Sequence, residues 1–145
     1  MPADPVQLGT FALWAEVAAD LGAPAEAAAL LQRLEPWRDQ VILDALGTLG
    51  SAARPLGLVA AALGRVDEAD AHFAHALAVH ERMRAPSLAA RTDLDWGLAL
   101  RRAGRAADQA RASELLGRAA QATRELGLPA LERRAREAAE AAPAR

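Results

Sequence analysis

The chain has 145 residues, 52% of them apolar, and its 17 basic and 19 acidic side chains leave a net charge of −2. That length suits a single domain, residues 1–145, able to bury roughly 68–70% of the surface its unfolded form exposes. The absence of cysteine excludes a disulfide framework, thiolate chemistry and cysteine-ligated zinc.

The longest apolar run, Leu56 to Leu63, is far shorter than the ~18 residues needed to cross a bilayer, and no basic-then-apolar signal opens the chain. A cytoplasmic protein without membrane attachment is the expectation. Only Trp14, Trp37, Trp96, Phe11 and Phe73 are aromatic, and alanine supplies most of the apolar count. Alanine is the best helix former and a poor strand former, so the composition argues for packed helices. Every basic residue is arginine, which with so much alanine points to a GC-rich bacterial coding sequence. Residues 1–81 hold 4 Arg against 11 Asp and Glu, a net −7, and residues 82–145 hold 13 Arg against 8, a net +5. Such a dipolar chain is suited to head-to-tail association, and a homodimer is compatible with the sequence, although salt screens much of the field.

The periodicity predicts seven helices. The first, over 6–21, carries Phe11, Trp14 and Ala18 on one face and stops at Gly22; the second, over 25–35, carries Ala27, Leu31 and Leu34. Residues 36–48 follow as the longest connector, punctuated by Pro36 and Gly47, with Val41-Ile42-Leu43 tucked beneath it. The third helix, over 51–63, shows Ala53, Leu56 and Ala60, with Pro55 early enough to remove a backbone bond or delay the start. A fourth, over 67–84, carries Ala69, Phe73 and Ala76. The fifth and sixth occupy 88–103 and 110–126, the latter with Ala112, Leu116 and Ala119. Ser51 and Ser87 stand where N-caps are expected. The seventh opens at Pro129 and runs to Ala142, with Leu131, Ala135 and Ala138 forming a narrow stripe beside Glu132, Arg133, Arg136 and Glu140.

These helices repeat as pairs. Trp14-Ala15, Leu56-Gly57 and Trp96-Gly97 each put a large residue before a small one, and a glycine follows the small one by seven residues, at Gly22, Gly64 and Gly104. The glycines suit left-handed helix ends, and small residues at 15, 57 and 97 let paired helices cross closely. The copies cover about 8–48, 50–86 and 88–127, with a capping helix over 129–142. Three extra residues enter the third copy between Gly104 and Ala112.

This spacing resembles the tetratricopeptide repeat, and the central copy, Leu56-Gly57, Gly64, Ala69, Phe73, Ala76, carries the resemblance best. The runs Leu49-Gly-Ser-Ala-Ala-Arg, Leu63-Gly-Arg-Val-Asp-Glu-Ala and Leu88-Ala-Ala-Arg-Thr-Asp-Leu-Asp are similar to C-terminal helical regions of bacterial signalling ATPases, transcription regulators and nucleotide cyclases. The resemblance implies an all-α, right-handed α-solenoid of three helix pairs plus a cap. It also implies a protein-interaction or sensor module belonging to a larger signalling protein.

No catalytic constellation stands out, so no enzyme activity and no cofactor are expected. A Walker-type phosphate loop needs a lysine, and Gly47-Thr-Leu-Gly50-Ser also lacks its spacing. Ser51, Ser87 and Ser113 have no nucleophile-elbow glycines around them. Glu68, His72 and His75 follow steps of four and three, a pattern able to hold a metal. They lie beside the Ala69, Phe73, Ala76 stripe, so a solvent-facing position without metal is the preferred reading. His80 continues that stripe as a half-buried structural histidine. Trp14 and Trp96 occupy equivalent repeat positions and are expected in the core. The negative total and the lack of aromatics among the arginines argue against direct nucleic-acid binding.

In a tetratricopeptide array the first helix of each pair lines a concave groove. Mapped by the resemblance, that face offers Glu16 and Asp20, then Arg54 and Leu58, then Arg91, Leu98, Arg101 and Arg102. Arginine suits bidentate capture of a carboxylate or phosphate, so the expected partner is a protein or peptide segment with an acidic group. A domain sensing a small anionic metabolite is the alternative. Within the scaffold, Arg54 and Arg91 have Asp20 and Asp95 as candidate partners.

Overall fold

The computed structural model describes residues 5–44 and 47–141. The protein is mostly helical: α1 (Pro5–Leu21), α2 (Pro24–Leu34), α3 (Ala53–Ala62), α4 (Val66–Arg82), α5 (Pro86–Ala103), α6 (Gln109–Glu125) and α7 (Pro129–Glu140). These ranges agree with the sequence periodicity to within two residues, apart from the expected end of α7 at Ala142, which lies outside the described residues. One element departs from a purely helical reading. Between α2 and α3 a short 3-10 turn, Glu35–Trp37, leads into an antiparallel hairpin of β1 (Val41–Asp44) and β2 (Gly47–Ser51).

The hairpin pairs Val41 with Ser51 and Ile42 with Gly50, then shifts register so that Leu43 meets Thr48. The Thr48 hydroxyl fastens this bulge by donating to the Ile42 carbonyl at 3.0 Å and accepting from the Gly50 N–H at 3.0 Å. Of the three apolar residues expected beneath the connector, Ile42 is buried and reaches Gly9 of α1, Val41 is half-buried and Leu43 is exposed. The alternation of a strand, not the uniform burial of a tucked loop, sets that pattern.

Two compact units divide the chain within α4, one to Val79 and the other from His80. In the first, α1, α2 and α3 pack on one another and the hairpin packs on α1. The core is Leu8, Ala12, Ala15 and Ala18 of α1, Leu30, Leu31 and Leu34 of α2, Leu56 and Val59 of α3, and Phe73 of α4. The second unit packs α5 on α6 and α6 on α7 around Leu94, Leu116, Ala119 and Ala135.

The small residues of the repeat do the work their positions predict. A Cβ on Gly57 would lie 2.9 Å from three atoms of the Phe73 ring, and one on Gly97 would lie 2.7 Å from Leu116 Cγ. Each glycine therefore admits a large side chain from the second helix of its own pair. Residue 73 follows 57 by sixteen positions and 116 follows 97 by nineteen, yet the contact is the same. The three extra residues are absorbed in a 3-10 turn, Ala106–Asp108, ahead of α6.

Helix ends reuse one backbone device. At the end of α3, the Gly64 N–H donates to the Ala61 carbonyl and the Arg65 N–H to the Ala60 carbonyl, with Gly64 at φ 72°. The same paired bonds close α1 at Gly22, α6 at Gly127 and α4 at Arg84, where φ is 52° on a residue with a side chain. After Gly22, Arg84 and Gly127 comes one non-helical residue and then a proline, Pro24, Pro86 or Pro129, opening the next helix. Pro86 rather than Ser87 therefore sets the start of α5, and Ser87 is an exposed residue inside its first turn. Ser51 does contribute at α3, accepting the Ala53 N–H at 3.2 Å. Since α3 starts at Ala53, Pro55 falls in the first turn, where its missing donor removes no helical bond.

His80 is fully buried, not half-buried, because Thr92 of α5 gives it a partner: its Nδ1 lies 3.0 Å from the Thr92 hydroxyl. That hydroxyl donates to the Leu88 carbonyl, so the imidazole Nδ1 carries the proton and donates to it.

Two outcomes test this packing, and a third tests the turn at Arg84. Gly57→Ala should lower the free energy of unfolding by about 1–3 kcal/mol in chemical denaturation. Gly117→Ala, in α6 with nothing within 4 Å of the new methyl, should instead raise it by about 0.5–1 kcal/mol. Arg84→Gly should be stabilising by ~0.5–1 kcal/mol, since relief of a left-handed residue outweighs the added chain entropy.

Candidate interaction surface

Helix α1 spans seventeen residues with only two charges, Glu16 and Asp20, and has no acid in its first turn and no base in its last. At 100° per residue, Leu8, Ala12, Ala15 and Ala18 fall on one side and are buried. The opposite side carries Leu13, Trp14, Val17 and Leu21, exposed at 51%, 65%, 56% and 76%. A helix apolar on both sides belongs inside a core. Here only half of it is covered.

The repeat shows what this outer face resembles. Adding the 42-residue spacing to Thr10, Leu13, Trp14, Val17 and Leu21 gives Ala52, Pro55, Leu56, Val59 and Leu63 of the next copy. Ala52, Pro55, Leu56 and Val59 are fully buried and Leu63 is half-buried, in a helix that packs on α1 and α2. Trp96, at the same position in the third copy, is 8% exposed, with the Arg111 guanidinium 5.4 Å from its ring centroid. Trp14 therefore corrects the expectation drawn from repeat equivalence. Trp96 is in the core, and its counterpart on the first helix is on the surface.

The groove residues read from the resemblance separate. Glu16, Asp20, Arg54 and Leu58 belong to the first unit, and Arg91, Leu98, Arg101 and Arg102 to the second. Arg54 is 3% exposed and its guanidinium bonds Glu16 of α1, not Asp20. Leu58 is half-buried and Asp20 exposed. Arg101 donates to the carbonyls of Ala138, Ala139 and Ala141, where it neutralises the C-terminal end of α7. Leu98 packs on the Leu94–Leu116 cluster, Arg91 is half-buried and Arg102 is exposed. Arg54 and Arg101 are thus engaged inside the fold.

Two further polar sites are structural. Asp93 of α5 is buried and accepts a forked pair of bonds from Arg118 of α6. Burial raises its pKa above the usual carboxylate value, and the bonds and charge of Arg118 offset that only in part. The other is His72, expected toward solvent but 4% exposed, because the segment after α2 folds over the flank of α4. Its Nε2 lies 3.4 Å from Glu35, and His75 Nε2 lies 3.3 Å from Asp39. Among the described residues, no group of three His, Asp or Glu side chains is placed to hold a metal ion. No helix of the described chain is long and apolar enough to cross a membrane.

No family model, curated protein or solved structure matches the chain.

Burial lowers the His72 pKa from its ordinary value of 6.5, and Glu35 and Glu68 only partly restore it. Below 6.5 the unfolded chain takes up this proton while the folded one resists, so stability should fall as pH drops from 6.5 toward the lowered native value. Urea titrations of the wild type and His72→Gln across that window should show a shallower pH slope in the variant.

Proposed function

We propose that the chain is a tetratricopeptide-like helical-repeat module, a right-handed solenoid of three helix pairs capped by α7, that works by binding another protein and not by catalysis. One observation carries the binding: α1 leaves open an apolar face whose counterpart on α3 is covered by neighbouring helices. Exposed apolar patches rimmed by polar residues mark protein contacts in soluble proteins. The matching Gly57–Phe73 and Gly97–Leu116 contacts support the repeat reading, as do the left-handed glycines at 22, 64 and 104. The runs similar to helical regions of signalling ATPases, transcription regulators and cyclases support a role in bacterial signalling. With Arg54 and Arg101 engaged in the fold, the docking surface is the apolar side of α1 and not an arginine-lined groove.

A photoreactive phenylalanine analogue at Val17 tests this in lysate of the source organism, with the same analogue at Arg133, an exposed residue of α7, as control. Protein adducts should form at position 17, disappear when Leu13→Glu and Leu21→Glu are added, and be absent at position 133. Absence of an adduct at position 17, or an equal yield at both positions, overturns the reading.

A further inference from the structure

The open face of α1 suits one occupant in particular, and we infer that it is α1 of a second copy of this chain, packed antiparallel about a two-fold axis. This rests on the reading of α1 as a binding face. The stripe is self-complementary about Val17: positions equally far before and after it oppose each other, so Leu13 meets Leu21 of the second copy, Trp14 stands over position 20, and Val17 meets itself. The pairing opposes the dipoles of the two helices. It also keeps the two Asp20 side chains apart, since they lie six residues from one another along the shared axis, ~9 Å at 1.5 Å per residue. That is about one Debye length at physiological salt. Glu16, the other acid of α1, is held by Arg54 of its own chain.

Head-to-tail association offers no such match. The exposed side of α7 presents Arg133, Arg134, Arg136, Glu137 and Glu140, which an apolar stripe would desolvate without pairing. Leu43, Met83 and Leu126, the remaining exposed large apolar side chains among the described residues, stand singly in different parts of the chain. The precedent for what covers such a stripe is internal: α3 buries the equivalent residues against helices of the same design. Four side chains at these exposures present on the order of 400–500 Å², the size of a functional patch. Two such faces together reach the lower bound for a specific interface, about 1,000 Å². The dimer is accordingly a small-interface, reversible one.

Sedimentation equilibrium on the purified full chain, from micromolar to near-millimolar concentration, tests the pairing. The expected result is a rise from one to two chain masses with concentration. Val17→Glu should give a single chain mass throughout, with the helical circular dichroism spectrum unchanged and, at a concentration where the wild type is monomeric, the same denaturation midpoint. Because the chain has no cysteine, Val17→Cys should oxidise to a disulfide-linked dimer. Gln7→Cys should not, since ten residues on either side of the axis place its copies ~30 Å apart. One chain mass at every concentration, a Val17→Glu variant that still doubles, or equal cross-linking at positions 7 and 17 overturns the inference. If the purified chain stays monomeric while the photoreactive residue at position 17 captures a different protein, the dimer falls and the binding face stands.

Discussion

Gly57 and Gly97 sit inside helices, where glycine is worth roughly 0.5–1 kcal/mol less than alanine. The cost is borne because a methyl group at either position would overlap Phe73 or Leu116. Close approach is helped by small side chains, and alanine fills many of the other buried helix positions, among them Ala12, Ala15, Ala27, Ala60, Ala69, Ala76, Ala112 and Ala119. Alanine buries little surface by itself, so one large residue per pair supplies much of the interdigitation. The alanine-rich composition, the close crossings and the sparse aromatics follow from a single packing solution used more than once.

The turns serve the same solution. A helix that ends in a left-handed residue reverses direction within two or three residues and satisfies its last carbonyls without side chains. Proline then opens the next helix at a position whose N–H would be unpaired anyway. Arg84 occupies the same geometry with a side chain in place. The turn geometry therefore does not depend on glycine being present.

The helices were legible in the sequence because their signals are local: stripes at steps of three and four, glycine stops and proline starts. The hairpin was not, since Val41-Ile42-Leu43 is too short to separate strand from buried helix by period, and Thr48 fixes its bulge through bonds no pattern announces. His72 was placed toward solvent for a related reason. Its own helix phase does point it beside the core, and the segment around Glu35 that covers it belongs to another element. Arg54 has no acid within four residues, and its partner, Glu16, lies 38 positions earlier on a different helix. Repeat equivalence told what kind of contact Trp14 is built for. It carried no information on whether a neighbour stands there.

The helices nearest the two ends of the chain solve one problem differently. In α7, Leu131, Ala135 and Ala138 supply the face that packs on α6, while arginine and glutamate dominate the rest, so no large apolar side chain is left exposed there. In α1 both faces are apolar, and charges are confined to Glu16, bound by Arg54, and Asp20 at the margin. A solvated helix face tolerates charge at almost no energetic cost, so its absence along Leu13, Trp14, Val17 and Leu21 is not what folding of the first unit alone requires. Where a local rule fails without any gain to the fold, function is the physical expectation. The exposed face of α1 is such a place, and polar residues there would seal it as they seal α7.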